Sequence, residues 1–396
     1  RGKIEKRKDS MAPHPLVKRH RLGYPPATLA TISATRYIVG GGGGKSKTGV
    51  PNRVTLVDYN NGTLKELSHV DFGDDRVIGV CAVHANKVVF CTTAQGRTHE
   101  LSYAGKPGSE LSIVGTTQTA EVAEGEEQAP SQRAIGASPA GDTLLISQGS
   151  TVNVWKYSKG DRKALSKKGN IKTEDVHSDD IRDVVFSPKD GLFLTCDDGV
   201  LALWSVNSGK LITKCRPSDS AAAAKSPVKL KFRGAMFSTD GSQLLTAASG
   251  ARGGYLTTRE AGKGADWSKG GARDRLVTPS PITSVDISPL REGRFAVGTS
   301  EGEVCIVDPK TLSCVCRLEA HGMPVTKVTL LSSGDCFSVA FDNNCALTRT
   351  KKHIEVQTRK GWLAVAVLLV LLFLALWGFS SLIASYAPPK SLSPEL

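Results

Sequence analysis

Aromatic residues make up only 6% of this 396-residue chain. So few rings argue against a surface that stacks unpaired bases, and nucleic acid is not expected as a partner despite a formal net charge of +13. A basic chain can equally meet anionic lipid on a cytosolic leaflet. The nine cysteines include no Cys-x-x-Cys pair and no Cys/His spacing of a zinc site. Most of them, Cys81, Cys91, Cys196 and Cys305 among them, fall in strand-like runs. Buried, reduced thiols are therefore expected. No carboxylates pair at catalytic spacing; Asp183 and Asp190 read as turn or surface acids. A secretory leader is not visible, because no apolar segment follows the basic residues Arg1, Lys3, Lys6, Arg7 and Lys8. Met11 opens a plausible natural start, and residues 1–12 are expected to be a basic, disordered extension.

Charge is also missing between Lys360 and Lys390. The apolar run from Trp362 to Ile383 is long enough, at ~1.5 Å per residue, to cross a hydrocarbon core of ~30 Å. Trp362 and Tyr386 fall where interfacial aromatics belong. The sequence thus predicts one transmembrane helix over 362–386, a basic juxtamembrane linker over 351–361 and a short lumenal tail over 387–396. Arg349, Lys351, Lys352, Arg359 and Lys360 precede the span and only Lys390 follows it. The positive-inside rule then puts everything before Trp362 in the cytosol.

What the sequence does contain is a repeat. Ala137-Ser138-Pro139, Phe186-Ser187-Pro188, Phe237-Ser238-Thr239 and Ile287-Ser288-Pro289 recur about every 50 residues. Each precedes a turn of Asp/Gly type and then two short apolar strands. Trp155 and Trp204 take the same place in the second of these, and Val307-Asp308 takes it in a later unit. This pattern resembles a WD-repeat β-propeller blade. About seven units can be counted between Tyr37 and Arg349. The expectation is an all-β, seven-bladed propeller over residues 13–350, with chain near Pro15 to Arg19 pairing into the last blade and closing the ring. Ala120 to Gln132, Lys159 to Asp175 and Ser218 to Pro227 read as polar solvent loops.

The remaining feature is the segment Val39 to Asp58. Gly40 to Gly44 are five consecutive glycines, followed by Lys45, Ser46, Lys47, Thr48 and Gly49. A phosphate-binding G-x-x-x-x-G-K-[ST] loop would need glycine at position 39, which is Val39, and would open a helix. Here Val54, Leu56 and Asp58 follow in strand alternation. The segment is therefore a glycine-rich loop between strands, which weighs against nucleotide hydrolysis.

The run Gly41 to Asn52, GGGG-x-x-Lys-Thr-Gly-Val-x-Asn, resembles the glycine-rich loop of the endoplasmic-reticulum guanine-nucleotide exchange factors that load a Sar-type small GTPase and start COPII coat assembly. The rest of the chain is similar in outline: a degenerate propeller and a C-terminal membrane helix. The resemblance implies an exchange loop on the first blade that reaches the GTPase switch regions. Its residues would be Gly41, Gly42, Gly43, Gly44, Lys45, Ser46, Lys47, Thr48, Gly49, Val50 and Asn52, with Val50 as the apolar contact and Asn52 as the polar one. It also implies a potassium ion held by backbone carbonyls within Gly43, Gly44, Lys45 and Ser46, residence in the endoplasmic-reticulum membrane, and no covalent chemistry. Pro51 before Asn52 and the short tail depart from the family pattern. The alternative is a membrane-tethered propeller scaffold that binds protein partners without exchange activity.

Overall fold

In the computed structural model the described residues are 14–45, 49–60, 62–103, 111–160, 164–189, 191–217, 229–260, 272–287, 294–356, 358, 367–372 and 374. The chain divides into two compact units, Arg1–Thr350 and Lys351–Leu396.

The first unit folds as seven four-stranded antiparallel sheets. Blade 1 comprises β2 (Pro26–Thr31), β3 (Arg36–Gly41), β4 (Arg53–Asn60) and β5 (Thr63–Asp71). Blade 2 comprises β6 (Val77–Val83), β7 (Val88–Thr93), β8 (Arg97–Ser102) and β9 (Ser112–Gln118). Blade 3 has β10 (Ile135–Ala137), β11 (Thr143–Gln148), β12 (Thr151–Tyr157) and β13 (Leu165–Ile171). Blade 4 has β14 (Asp183–Phe186), β15 (Leu192–Cys196), β16 (Leu201–Ser205) and β17 (Leu211–Cys215). In blade 5 are β18 (Lys231–Phe237), β19 (Gln243–Gly250), β20 (Gly253–Glu260) and β21 (Ala272–Thr278). Blade 6 holds β22 (Ile282–Ile287), β23 (Phe295–Thr299), β24 (Glu303–Val307) and β25 (Cys314–Glu319). Blade 7 takes β26 (Val325–Leu330), β27 (Cys336–Ala340) and β28 (Asn344–Thr348) from the C-terminal side and β1 (Val17–Arg21) from the N-terminal side.

That last pairing closes the ring where the sequence placed it. Val17 faces Thr348 and Arg21 faces Asn344 in the antiparallel ladder. Arg349 N donates to Leu16 O at 2.8 Å and Leu22 N to Asn343 O at 2.8 Å, extending the seam at both ends. Without β1 the ladder face of β28 would be an open edge.

The core lies between blades. One apolar cluster joins Ile38, Val54 and Leu56 of blade 1 to Val77, Val89 and Leu101 of blade 2. Another joins Tyr37, Val39 and Val57 to Phe337, Val339 and Leu347 of blade 7. Tyr37 and Phe337 stack with centroids 3.9 Å apart. The middle strands are thus covered on both faces, and β7 and β27 are buried at every position, with only Thr92, Thr93 and Ser338 interrupting their apolar residues. Outer strands such as β9 are largely exposed.

The recurring serine has a local reason. Ser138 Oγ accepts from Thr143 N at 3.1 Å, and Ser238 Oγ accepts from Gln243 N at 2.9 Å. Each serine side chain ties the end of an inner strand to the start of the next.

Two readings change. Lys159 to Asp175 was expected to be a solvent loop, yet it contains β13, whose residues Leu165 and Ile171 are buried while Ser166 to Lys168 face solvent. Blade 1 was expected to begin near Tyr37, but β2 precedes it. The Ala120 to Gln132 segment contains no strand. All of Ser218 to Pro227 and residues 1–12 lie outside the described residues.

In the second unit, residues 351–356, 358, 367–372 and 374 are helical, and the region read as a linker is therefore helical over its described part. The expected span 362–386 lies mostly outside the described residues. Its described leucines, such as Leu368 and Leu371, are exposed. Among the described residues no helix is long and apolar enough to cross a membrane.

Candidate functional site

The glycine-rich segment connects β3 to β4, but its glycines do different work. Gly40 and Gly41 belong to β3 and pair with Val54 and Arg53. A Cβ at Gly40 would come within 2.8 Å of Val77 Cγ1 and 2.9 Å of Val80 Cγ2, so glycine here lets blade 2 pack close. Gly42, at φ +147°, takes a backbone shape that side chains disfavour. The loop proper therefore starts after Gly41, later than the sequence reading placed it. Ser46, Lys47 and Thr48 lie outside the described residues.

Asn52 is the clearest difference. The resemblance makes it a polar contact to the GTPase, and in the structure only 2% of its surface is exposed. Its Oδ1 accepts from Gly44 N at 2.9 Å. Its Nδ2 donates to Gly44 O at 3.1 Å and to Gly73 O at 2.7 Å. The Asn52 side chain thus mimics a strand partner for Gly44 and ties the loop to the β5–β6 connection. Phe72 N donates to Asn52 O at 2.9 Å, and Gly42 N to Pro25 O at 3.1 Å. A loop of glycines holds one shape because this side chain braces it. Val50 is half-buried against the blade 7–blade 1 cluster.

Lys45 is exposed and donates to Glu127 O at 3.2 Å. Gln95 Nε2 donates to the same carbonyl at 3.1 Å. The acidic 120–132 segment, which joins blade 2 to blade 3, therefore lies beside the glycine loop. It is fastened at its far end by buried Gln132, whose Oε1 accepts from Thr119 Oγ1 at 3.0 Å. This contact sets the face: the β3–β4 turn and the connections entering each inner strand share one side of the ring.

The sequence reading missed a buried polar network in blade 4. His177 Nε2 and Thr195 Oγ1 are 2.7 Å apart, and Trp204 Nε1 donates to Thr195 Oγ1 at 2.8 Å. His177 Nδ1 lies 3.0 Å from Asp197 Oδ2. Asp197 Oδ1 accepts from Gly199 N and Val200 N at 2.7 and 2.5 Å. Burial pushes the Asp197 carboxyl up, but the His177 contact and these N–H groups prevail and hold it below its ordinary value. Blade 7 repeats part of the set: His321 Nε2 lies 2.8 Å from Ser338 Oγ, and His321 Nδ1 lies 3.2 Å from Asp342 Oδ2. Trp204 was visible as a repeat position; only its spacing from His177 and Thr195 could have revealed the rest.

Seven closed four-stranded blades with this histidine, hydroxyl, tryptophan and aspartate network define a WD-repeat β-propeller. Residues 169–205, which carry the whole blade 4 network, match the family described as WD domain, G-beta repeat. Polyadenylation factor subunit 2 of Candida albicans is 32% identical over 82 aligned residues, covering 17% of this chain and 15% of that protein. The match thus spans under one sixth of that relative's length.

Proposed function

We propose that this propeller is a nucleotide-exchange platform for a Sar-type small GTPase, tethered at the endoplasmic-reticulum membrane, where it starts COPII coat assembly. The observation carrying this reading is the β3–β4 loop, a glycine-rich segment braced by Asn52 on the face where blade connections converge. Its sequence, Gly41 to Asn52, resembles the family's exchange loop. Exchange needs no covalent chemistry. It needs a surface that binds the nucleotide-free GTPase more tightly than the loaded one, so that nucleotide affinity falls by the same factor. A loop already held in one conformation loses less entropy on docking.

Potassium remains part of the proposal. Backbone carbonyls are hard oxygen donors suited to such a cation, and Gly44 O keeps a second lone pair beyond its bond from Asn52. The ion would supply a second brace for the segment 43–46. The 362–386 span would supply the tether, with the propeller in the cytosol. A glycosylation sequon added after Pro389 should then be modified, and one placed within Ala120 to Gln132 should not. The reverse pattern would invert this topology.

A membrane-tethered scaffold without exchange activity is the second reading, favoured by the partial likeness to a polyadenylation factor subunit. Nucleotide release from a Sar-type GTPase, measured with and without the chain, separates the two: only the exchange reading expects acceleration.

A further inference from the structure

The inner strands surround a central cavity of about 220 Å³. Three successive blades bring a guanidinium to it at one end. Arg133 precedes β10, Arg182 precedes β14, and Arg233 lies near the start of β18. This is the end at which inner strands enter, the same face as the glycine loop. Lys231 adds a fourth cation there. Asp198 accepts from Arg182 Nε, from Lys231 Nζ at 2.9 Å and from Arg233 NH1 at 3.4 Å. One carboxylate thus serves three cations, and each arginine spends one of its five donors on it.

Arg133 has no hydrogen bond or ion pair among the described residues. Asp183 also lines the cavity, but Lys327 Nζ lies 3.5 Å from it. Asp286 is the other carboxylate of the lining, and it accepts from Leu330 N at 2.7 Å. Four cations of the lining, Arg133, Arg182, Arg233 and Lys327, thus face two carboxylates, while Asp180 and Asp198 lie close enough to act on Arg133 from outside it. Burial and then the neighbouring Arg182 charge hold Arg133 below the ordinary guanidinium range, and the same two causes act on Arg233. A guanidinium keeps its proton, so an incoming anion is what relieves this crowding.

We propose that this end of the channel is an oxyanion-binding site for a phosphorylated or carboxylate-bearing side chain of a partner protein. Planar guanidinium forks with unspent donors match phosphate and carboxylate oxygens in pairs. The cations line a cavity inside the ring, which an extended side chain can enter and a flat bilayer cannot. The site is separate from the exchange loop, and neither reading depends on the other.

Fluorescence anisotropy of the full chain with three labelled Gly/Ser peptides tests it. One carries phosphoserine, one glutamate and one serine at the same position. The phosphoserine or the glutamate peptide should bind at least about tenfold more tightly than the serine peptide, and inorganic phosphate should displace it. Which of the two binds identifies the oxyanion. Arg133→Gln should weaken that binding about tenfold without moving the unfolding midpoint or the rate of nucleotide release. Equal binding of all three peptides, no binding of any, or full binding by Arg133→Gln would overturn the proposal. So would an Arg133 dependence seen only with phosphatidylserine vesicles.

Discussion

At the scale of single residues, Asn52 holds the glycine loop in place. Replacing it with Ala removes the partners of Gly44 N, Gly44 O and Gly73 O at a site only 2% exposed. Unfolding in denaturant should show a loss of about 1–3 kcal/mol, well beyond the cost of a surface change. Lys45→Ala, which loses one exposed bond to a carbonyl, should leave stability unchanged within ~0.5 kcal/mol. A second expectation concerns pH. Burial lowers His99 to about 4, and its Nε2 has no hydrogen-bond partner among the described residues. Between pH 6.5 and 4 the unfolded chain binds the extra proton, so stability drains as pH falls, by up to about 2 kcal/mol at pH 5. Burial instead raises Asp286 to about 6. There the folded chain binds the extra proton between about pH 4 and 6, so this group opposes the loss on acidification. Asp286→Asn removes the opposing titration, and its stability should fall more steeply from pH 7 to pH 5 than the unaltered chain's. Parallel curves would contradict the assignment.

Among the elements, β1 carries the most consequence for its length. Its five-pair ladder with β28 is, among the described residues, the one strand pairing made between distant ends of the propeller chain, beside the side-chain packing of blade 1 on blade 7. Removing residues 1–22 should cost on the order of 3 kcal/mol, from the burial of Val17 and Leu22 and the lost ladder. It should also give concentration-dependent association through the bared β28 edge, seen by light scattering. An unchanged midpoint would deny β1 its closing role. The middle strands and the serine turns were legible in the sequence because strands buried on both faces leave apolar runs at a fixed period. β13 was not, because LSKKGNI buries only its ends and a one-faced outer strand with two lysines has the composition of a loop. The position of the glycine loop was legible too. The inward turn of Asn52 was not, since a Pro-Asn pair reads as an exposed turn and only the register of β3 against β4 decides which way it faces. The His177 network was hidden for a related reason: His177 lies in the β13–β14 connection and Asp197 in the β15–β16 turn, and only folding of the blade brings them onto Thr195 and Trp204.

At the scale of the propeller, apolar clusters tie blade 7 to blade 1 and each blade from 1 to 5 to the next, and both proposed surfaces lie on one face. Such a ring can present a loop without reshaping it, which is what exchange by differential binding requires. The most direct measurement is the rate of nucleotide release from a Sar-type GTPase, followed with a fluorescent nucleotide in potassium buffer. The account predicts acceleration by the full chain. It predicts a slower rate when a larger or smaller monovalent cation replaces potassium, a large loss for Val50→Ala combined with Asn52→Ala, and near-normal release for Lys45→Ala. No acceleration, or an inactive Lys45→Ala beside a fully active Val50→Ala with Asn52→Ala, would contradict it.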